Sequence, residues 1–175
     1  MRKLKLEELG RPDLETFSKA DKLPVTLVLD NIRSALNVGS IFRTADAMAI
    51  QQIVLCGITA RPPHKEINKT AIGATESVQW TYEQDIVKAV AQAKQDGHHI
   101  VGIEQTNKSI PLPDYQLPTD KHLMVIMGNE VNGISEEVLP LLDVAIEIPQ
   151  YGTKHSLNVA VCAGIIMWSI RRSFG

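Results

Sequence analysis

Short, mostly apolar runs recur along this chain, at Val25–Leu29, Ile53–Leu55, Val78–Tyr82, His99–Ile103, Leu123–Met127 and Val144–Ile148. A strand exposed on one face alternates apolar and polar residues, whereas consecutive apolar residues need cover on both faces. Between the runs lie stretches of helical period. Val38, Ile41, Phe42, Ala45, Met48 and Ala49 follow one buried face, predicting a helix over 38–49 with Asn37 as its N-cap. Ile86–Gln95 is amphipathic and stops before Gly97, a usual residue just past a helix. Ser135-Glu136-Glu137 reads as a helix start with acids in its first turn, and Ser156–Arg172 as the last helix. Pro12-Asp13 can open a short helix through Phe17, and the segment ARPPHKEINKT reads as a loop. The expected fold is one α/β domain over residues 25–175, a mostly parallel sheet with helices on both faces. A polar, mixed-charge extension, residues 1–24, precedes it.

Charge narrows the partners. The formal net charge is −2, so any grip on nucleic acid must come from local clusters such as Arg61, His64, Lys65 and Lys69, or Lys154 and His155, or Arg171-Arg172. Cys56 and Cys162 have no metal-ligand spacing and read as reduced, packed thiols of a cytoplasmic protein. The start, MRKLKLEELG, lacks the apolar core of a signal peptide, and the longest apolar run, Val159–Trp168, is too short to span a bilayer. That run is apolar around its whole circumference, which predicts a helix buried on all sides. In a chain this small, a second copy is a natural cover for the remaining face.

The glycines exclude common nucleotide sites. No pair is spaced G-x-G, and no G-x-S-x-G elbow exists. Gly128 to Ser135 has P-loop spacing, but Ile134 replaces the phosphate-binding lysine and Glu130 would repel phosphate. Ligands of parallel sheets bind at strand carboxyl ends. Here those ends are 102–106, 128–130 and 148–158, which offer acids and small residues with few cations. Such a pocket suits a cationic nucleoside better than ATP. S-adenosylmethionine, with its sulfonium and ammonium, is of that kind.

Three motifs occur in order: Asn37-Val-Gly-Ser-Ile-Phe-Arg43-Thr-Ala45, Met127-Gly-Asn-Glu130 with Gly133, and Ile148-Pro149 followed by Ser156-Leu-Asn158-Val. Together they resemble the SpoU/TrmH branch of the SPOUT RNA methyltransferases, from about residue 25 to the C-terminus and most weakly over 58–100. The stretches GIEQTNKS and EIPQ-x-G-x-x-x-SLNV resemble enzymes that methylate the D-loop guanosine of tRNA. The resemblance implies a C-terminal trefoil knot and a bent S-adenosylmethionine held without metal. It also implies a homodimer whose active site draws on both chains, and methyl transfer to a ribose 2′-hydroxyl of RNA. Transfer RNA is favoured. Ribosomal RNA, or a non-catalytic RNA-binding assembly factor of the same fold, is the alternative.

Each candidate residue has a plain reading beside the implied one. Arg43 lies off its helix's apolar stripe and could pair with Asp46; the resemblance places it at the ribose hydroxyl and a phosphate. Asn37 could be only a cap, or could orient the ribose or Arg43. Glu130 could be a solvated loop acid, or could contact substrate or the methionine ammonium. Ser156 could be a cap, whereas Asn158, among apolar neighbours, reads as a buried amide needing partners. By resemblance Arg43, Asn37, Glu130, Ser156 and Asn158 are catalytic, and Glu104, Gln105, Gly128, Ile148 and Leu157 bind the cofactor.

Overall fold

The computed structural model describes residues 1–175, the side chain at position 6 excepted. Seven strands form one sheet: β1 (Leu23–Asp30), β2 (Ile50–Cys56), β3 (Gln79–Glu83), β4 (His99–Ile103), β5 (Ile110–Pro111), β6 (Leu123–Met127) and β7 (Val144–Glu147). Their order is β3-β2-β1-β6-β4-β7-β5, and every pairing is parallel. Strand order runs outward from β1 through β2 to β3. It resumes on the other side with β4, and β6 then fills the gap between β1 and β4. That reversal is the switch point at which open parallel sheets bind ligands.

The helices are α1 (Leu14–Lys19), α2 (Ala35–Ala47), α3 (Lys65–Ala71), α4 (Ala74–Ser77), α5 (Ile86–Gln95) and α6 (Val159–Phe174). Alternate strand residues face two separate cores, because successive side chains of a strand point to opposite faces. Leu27, Leu29, Val125 and Met127 pack with the buried faces of α2, α3 and α6. Val28, Val54, Met124 and Ile126 pack with α5, Ile134 and Val138 on the other side. The expected α/β sheet covered on both faces is what the chain adopts.

Several boundaries differ from expectation. The first long helix begins at Ala35, and its cap is Ser34, whose hydroxyl accepts the Asn37 N–H at 3.3 Å. Asn37 is therefore helical already, and its side chain is released for other contacts. The last helix begins at Val159, not Ser156, and is capped by Asn158, which accepts Ala160 N–H at 2.9 Å and Val161 N–H at 3.3 Å. The helix expected from Ser135 is a 3-10 turn over Glu136–Leu141 with Pro140 inside it. Proline has no N–H for an α-helical bond, which favours the shorter geometry. The segment ARPPHKEINKT, expected as a loop, holds most of α3, while α4 just beyond it and strand β5 have no counterpart in the expected elements.

Helix α6 is buried on one face only, through Val159, Ala163, Ile166, Met167 and Ile170. On the other face Val161 (54%), Ile165 (37%) and Trp168 (57%) stay exposed, so the expected burial around the whole circumference does not hold within one chain.

Helix α3 approaches α2 closely because Gly39 has no side chain. A Cβ there would run into the Ile67 carbonyl and the Thr70 hydroxyl. That hydroxyl donates to the Leu36 carbonyl at 2.9 Å, locking the two helices in register. Gly39→Ala is therefore expected to destabilise the fold by about 1–3 kcal/mol, as overpacked cores do. The check is a lower urea midpoint at unchanged slope. An unaltered midpoint would mean that α3 yields without loss.

Candidate active site

The carboxyl ends of β4, β6 and β7 and the segment before α6 enclose a cavity of about 360 Å³. Its walls include Glu104 and Gln105 after β4, Gly128 to Gly133 after β6, and Ile148, Gln150 and His155 to Leu157 after β7. All five residues expected to bind a cofactor, Glu104, Gln105, Gly128, Ile148 and Leu157, line it, as do Glu130 and Ser156. Asn37 and Asn158 stand outside this lining but join it through Glu130. Arg43 is elsewhere.

Its local construction follows from a few close approaches. A Cβ on Gly128 would strike the backbone of Gly133 and Ile134, so only glycine lets the loop after β6 close on itself. Gly133 has φ +70°, and a side chain there would meet the Glu104 carboxylate. That carboxylate accepts Ile134 N–H and Gln105 N–H, both at 2.9 Å, tying β4 to the loop after β6. Gln105 donates to the His155 carbonyl at 3.3 Å and so holds the third wall. Glu104 and Gln105 thus build the pocket as well as line it.

A relay of amides joins the three motifs. Asn158 Nδ2 donates to Asn37 Oδ1 at 3.2 Å, and Asn37 Nδ2 donates to Glu130 Oε1 at 3.2 Å. Glu130 also accepts Arg33 N–H at 2.9 Å and Ser34 N–H at 3.3 Å, at the start of α2, where the helix dipole favours an anion. Partial burial alone would raise its pKa. The N–H groups of Arg33, of Glu130 itself and of Ser34, with the Asn37 amide, outweigh burial and hold it below the ordinary carboxylate value. Glu130 is therefore ionised at neutral pH. Asn158 is exposed at its helix start, not buried as expected. Its partners are the first N–H groups of α6 and the Asn37 side chain.

A second polar network, unnoticed in the sequence, supports the first. Asp30, wholly buried at the end of β1, accepts Ser135 N–H at 2.7 Å, the Ser135 hydroxyl at 3.1 Å and the Asn31 amide at 2.8 Å. Buried Thr59 accepts Ile32 N–H at 2.9 Å and donates to the Leu29 carbonyl at 3.0 Å. The only signal in the sequence was a polar residue ending an apolar run, which reads equally as a strand stop.

Arg43 is exposed and lines a different groove, of about 520 Å³, beside Arg11, Asp46 and Ser77. Among the described residues it makes no ion pair, and Asp46 is taken by the Ser77 hydroxyl. The plain reading of an Arg43–Asp46 pair is thus not what forms. Nor does a hydrogen bond link Arg43 to Asn37 among those residues. Both cysteines are free thiols. Burial, then nearby carboxylates, push Cys56 up to about 12, and burial with Glu104 pushes Cys162 up to about 11. They are packing groups rather than nucleophiles. No helix is long and apolar enough to cross a membrane among the described residues.

The pocket walls carry the carboxylates of Glu104, Glu130 and Glu147, one imidazole, and no lysine or arginine among the described residues. An acid-walled cavity at the carboxyl ends of a parallel sheet, without a phosphate loop, suits a cationic nucleoside-like ligand. S-adenosylmethionine, a doubly cationic nucleoside bearing one carboxylate, fits that donor set. This chain belongs to the SpoU rRNA methylase family, whose model matches residues 24–168. It is 30% identical over 165 residues to a Staphylococcus aureus protein placed in the TrmH family of tRNA/rRNA methyltransferases, covering 91% of this chain and 65% of that one. It is 30% identical over 149 residues to the 23S rRNA (guanosine-2′-O-)-methyltransferase RlmB of Neisseria meningitidis, covering 85% of this chain and 58% of that one. The chain thus spans less than two thirds of either relative's length. The A. aeolicus TrmH/SpoU tRNA modifying enzyme superposes with a TM-score of 0.81 at 25% identity, over 91% of this chain and 80% of that one.

Proposed function

We propose that this protein transfers a methyl group from S-adenosylmethionine to a ribose 2′-hydroxyl of structured RNA, as a cytoplasmic homodimer. The observation that carries the reading is the Asn158–Asn37–Glu130 relay. It gathers all three family motifs at the mouth of an acid-walled cavity. When bound, the cofactor supplies an electrophilic methyl carbon on a sulfonium, which leaves as a neutral thioether. The chain's residues do the rest. Glu104, Gly128, Ile148 and Leu157 shape the cofactor wall, and Gln105 fixes the segment that closes it. Glu130 and Asn37 hold the rim rigid, and Ser156 and Asn158 present polar atoms to the incoming ribose. Arg43 steadies the adjacent phosphate and the developing alkoxide, whose proton is released to solvent water as the O–CH3 bond forms. A guanidinium stays protonated in proteins, so stabilisation is its role rather than proton abstraction.

Two placements support the dimer. Val161, Ile165 and Trp168 form an exposed ridge on α6, and Leu36 on α2 is 38% exposed. Exposed apolar patches of this kind mark association surfaces. Arg43 stands outside its own chain's pocket, so a second copy is the means by which it reaches a cofactor. The C-terminal segment crosses from β7 back to α2, as the Asn158–Asn37 contact records, and this path accords with the trefoil knot of the family reading. The stretches GIEQTNKS and EIPQ-x-G favour a D-loop guanosine of tRNA as target. Ribosomal RNA is the second reading, favoured by the activity of the Neisseria relative.

Calorimetry with S-adenosylhomocysteine on chelator-treated protein is expected to show binding, and labelled methyl is expected in 2′-O-methylated nucleosides after digestion of tRNA. Binding that returns only with a divalent ion, or label on a base, would overturn the assignment. Label in ribosomal RNA alone would replace the tRNA reading with the second one.

A further inference from the structure

Tyr151 stands on the segment that closes the cavity, between Gln150 and His155, which both line it. The residue is 97% exposed. No side-chain hydrogen bond or aromatic partner engages it among the described residues. A tyrosine so placed contributes nothing to the core and leaves a large apolar ring in water. The segment is nevertheless anchored: the Gln105 amide holds the His155 carbonyl at 3.3 Å, and Asn158 is fixed to both α6 and Asn37. Val131, on the loop after β6, lines the same cavity and is 68% exposed. Tyr151 thus stands free on the segment that borders an acid-lined pocket, with exposed Val131 in the lining of that pocket and Lys154 exposed three positions beyond the tyrosine.

We propose that Tyr151 is a positioning residue for RNA, an aromatic platform on which the unpaired base of the target nucleotide stacks. The inference rests on the RNA-methylating reading above and adds what that reading leaves open: the target base is out of its helix when the ribose is methylated. In A-form RNA the bases are stacked out of reach of side chains, whereas unpaired bases splay onto aromatic rings. Stacking on a π-face tolerates any base, so Tyr151 orders the nucleotide without reading its identity.

Full-length Tyr151→Ala, Tyr151→Phe and Tyr151→Trp, with wild type, distinguish the outcomes. Tyr151→Ala is expected to raise KM for tRNA about 5- to 100-fold, the range of one lost base–aromatic stack. S-adenosylhomocysteine affinity and melting midpoint should stay as in wild type, and Tyr151→Phe should retain wild-type KM. Against the background of Trp80 and Trp168, Tyr151→Trp adds a fluorophore at the rim. A single-stranded oligoribonucleotide is expected to quench it saturably, and the same sequence as a duplex is not. Equal quenching by duplex, or an unchanged KM in Tyr151→Ala, overturns the platform. If wild type itself neither binds nor methylates RNA, the RNA reading falls. If wild type methylates and Tyr151→Ala does so with the same KM, only this inference falls.

Discussion

Arg43→Ala is expected to lose about 100- to 1,000-fold in single-turnover methyl transfer, the usual cost of removing one donor that stabilises developing charge. Cofactor affinity is expected to be unchanged. The two outcomes separate because Arg43 lies on α2 and lines the groove with Arg11 and Asp46, while the acid-walled cavity is built from residues 103 onward. A residue that meets the substrate only as charge builds on the 2′-oxygen alters rate and leaves the affinity for S-adenosylhomocysteine intact. Its environment also argues against a structural duty. The side chain is exposed, and the one nearby carboxylate on its own helix, Asp46, is held by Ser77. Arg43→Lys should fail almost as badly, since an ammonium cannot reproduce a planar two-pronged contact to phosphate. Near-normal turnover in Arg43→Ala would remove Arg43 from the mechanism, whatever the fate of the family assignment.

The strands were the most legible part of the chain for a physical reason. Leu123–Met127 and His99–Ile103 flank each other at the centre of the sheet, where both faces are covered and nearly every position is apolar. Edge strands lack that constraint: β3 is half exposed and β5 is two residues long, and the latter passed unseen. Helix α3 is hidden in the sequence because its buried side is only Ile67 and Ala71, too short a ridge to register as a period. What makes it pack is Gly39, and a missing side chain leaves no trace in a hydrophobic pattern. The site divides in the same way. Pocket-lining residues sit just past recognisable strands, so Gly128 and Ile148 could be placed by position. Asn158 misled, because apolar neighbours along the chain implied burial, yet a helix start exposes its cap whatever follows. The Asn158–Asn37–Glu130 contacts join positions 37, 130 and 158, and no local pattern carries such a link.

An equal mixture of two inactive proteins, Arg43→Ala and Leu157→Arg, is expected to recover methyl transfer after dissociation and reassembly. Leu157 lines the cavity and is 37% exposed, so an arginine there fits the fold while adding a cation to a pocket meant for a cationic ligand. Each parent fails by a different route. In a two-fold dimer whose sites pair one chain's cavity with the other chain's Arg43, both parents have two broken sites. A mixed dimer has one site with both defects and one with none. Random pairing makes half of the dimers mixed, so about one quarter of wild-type activity should return. This expectation rests on the separation of Arg43 from its own cavity, together with the bare ridge of Val161, Ile165 and Trp168. Adding Trp168→Glu to either parent places a charge on that ridge and should abolish both dimerisation and recovery, as sedimentation and the transfer assay would read together. A mixture that stays inactive while both parents sediment as dimers would place each active site within one chain, and Arg43 would then need another role.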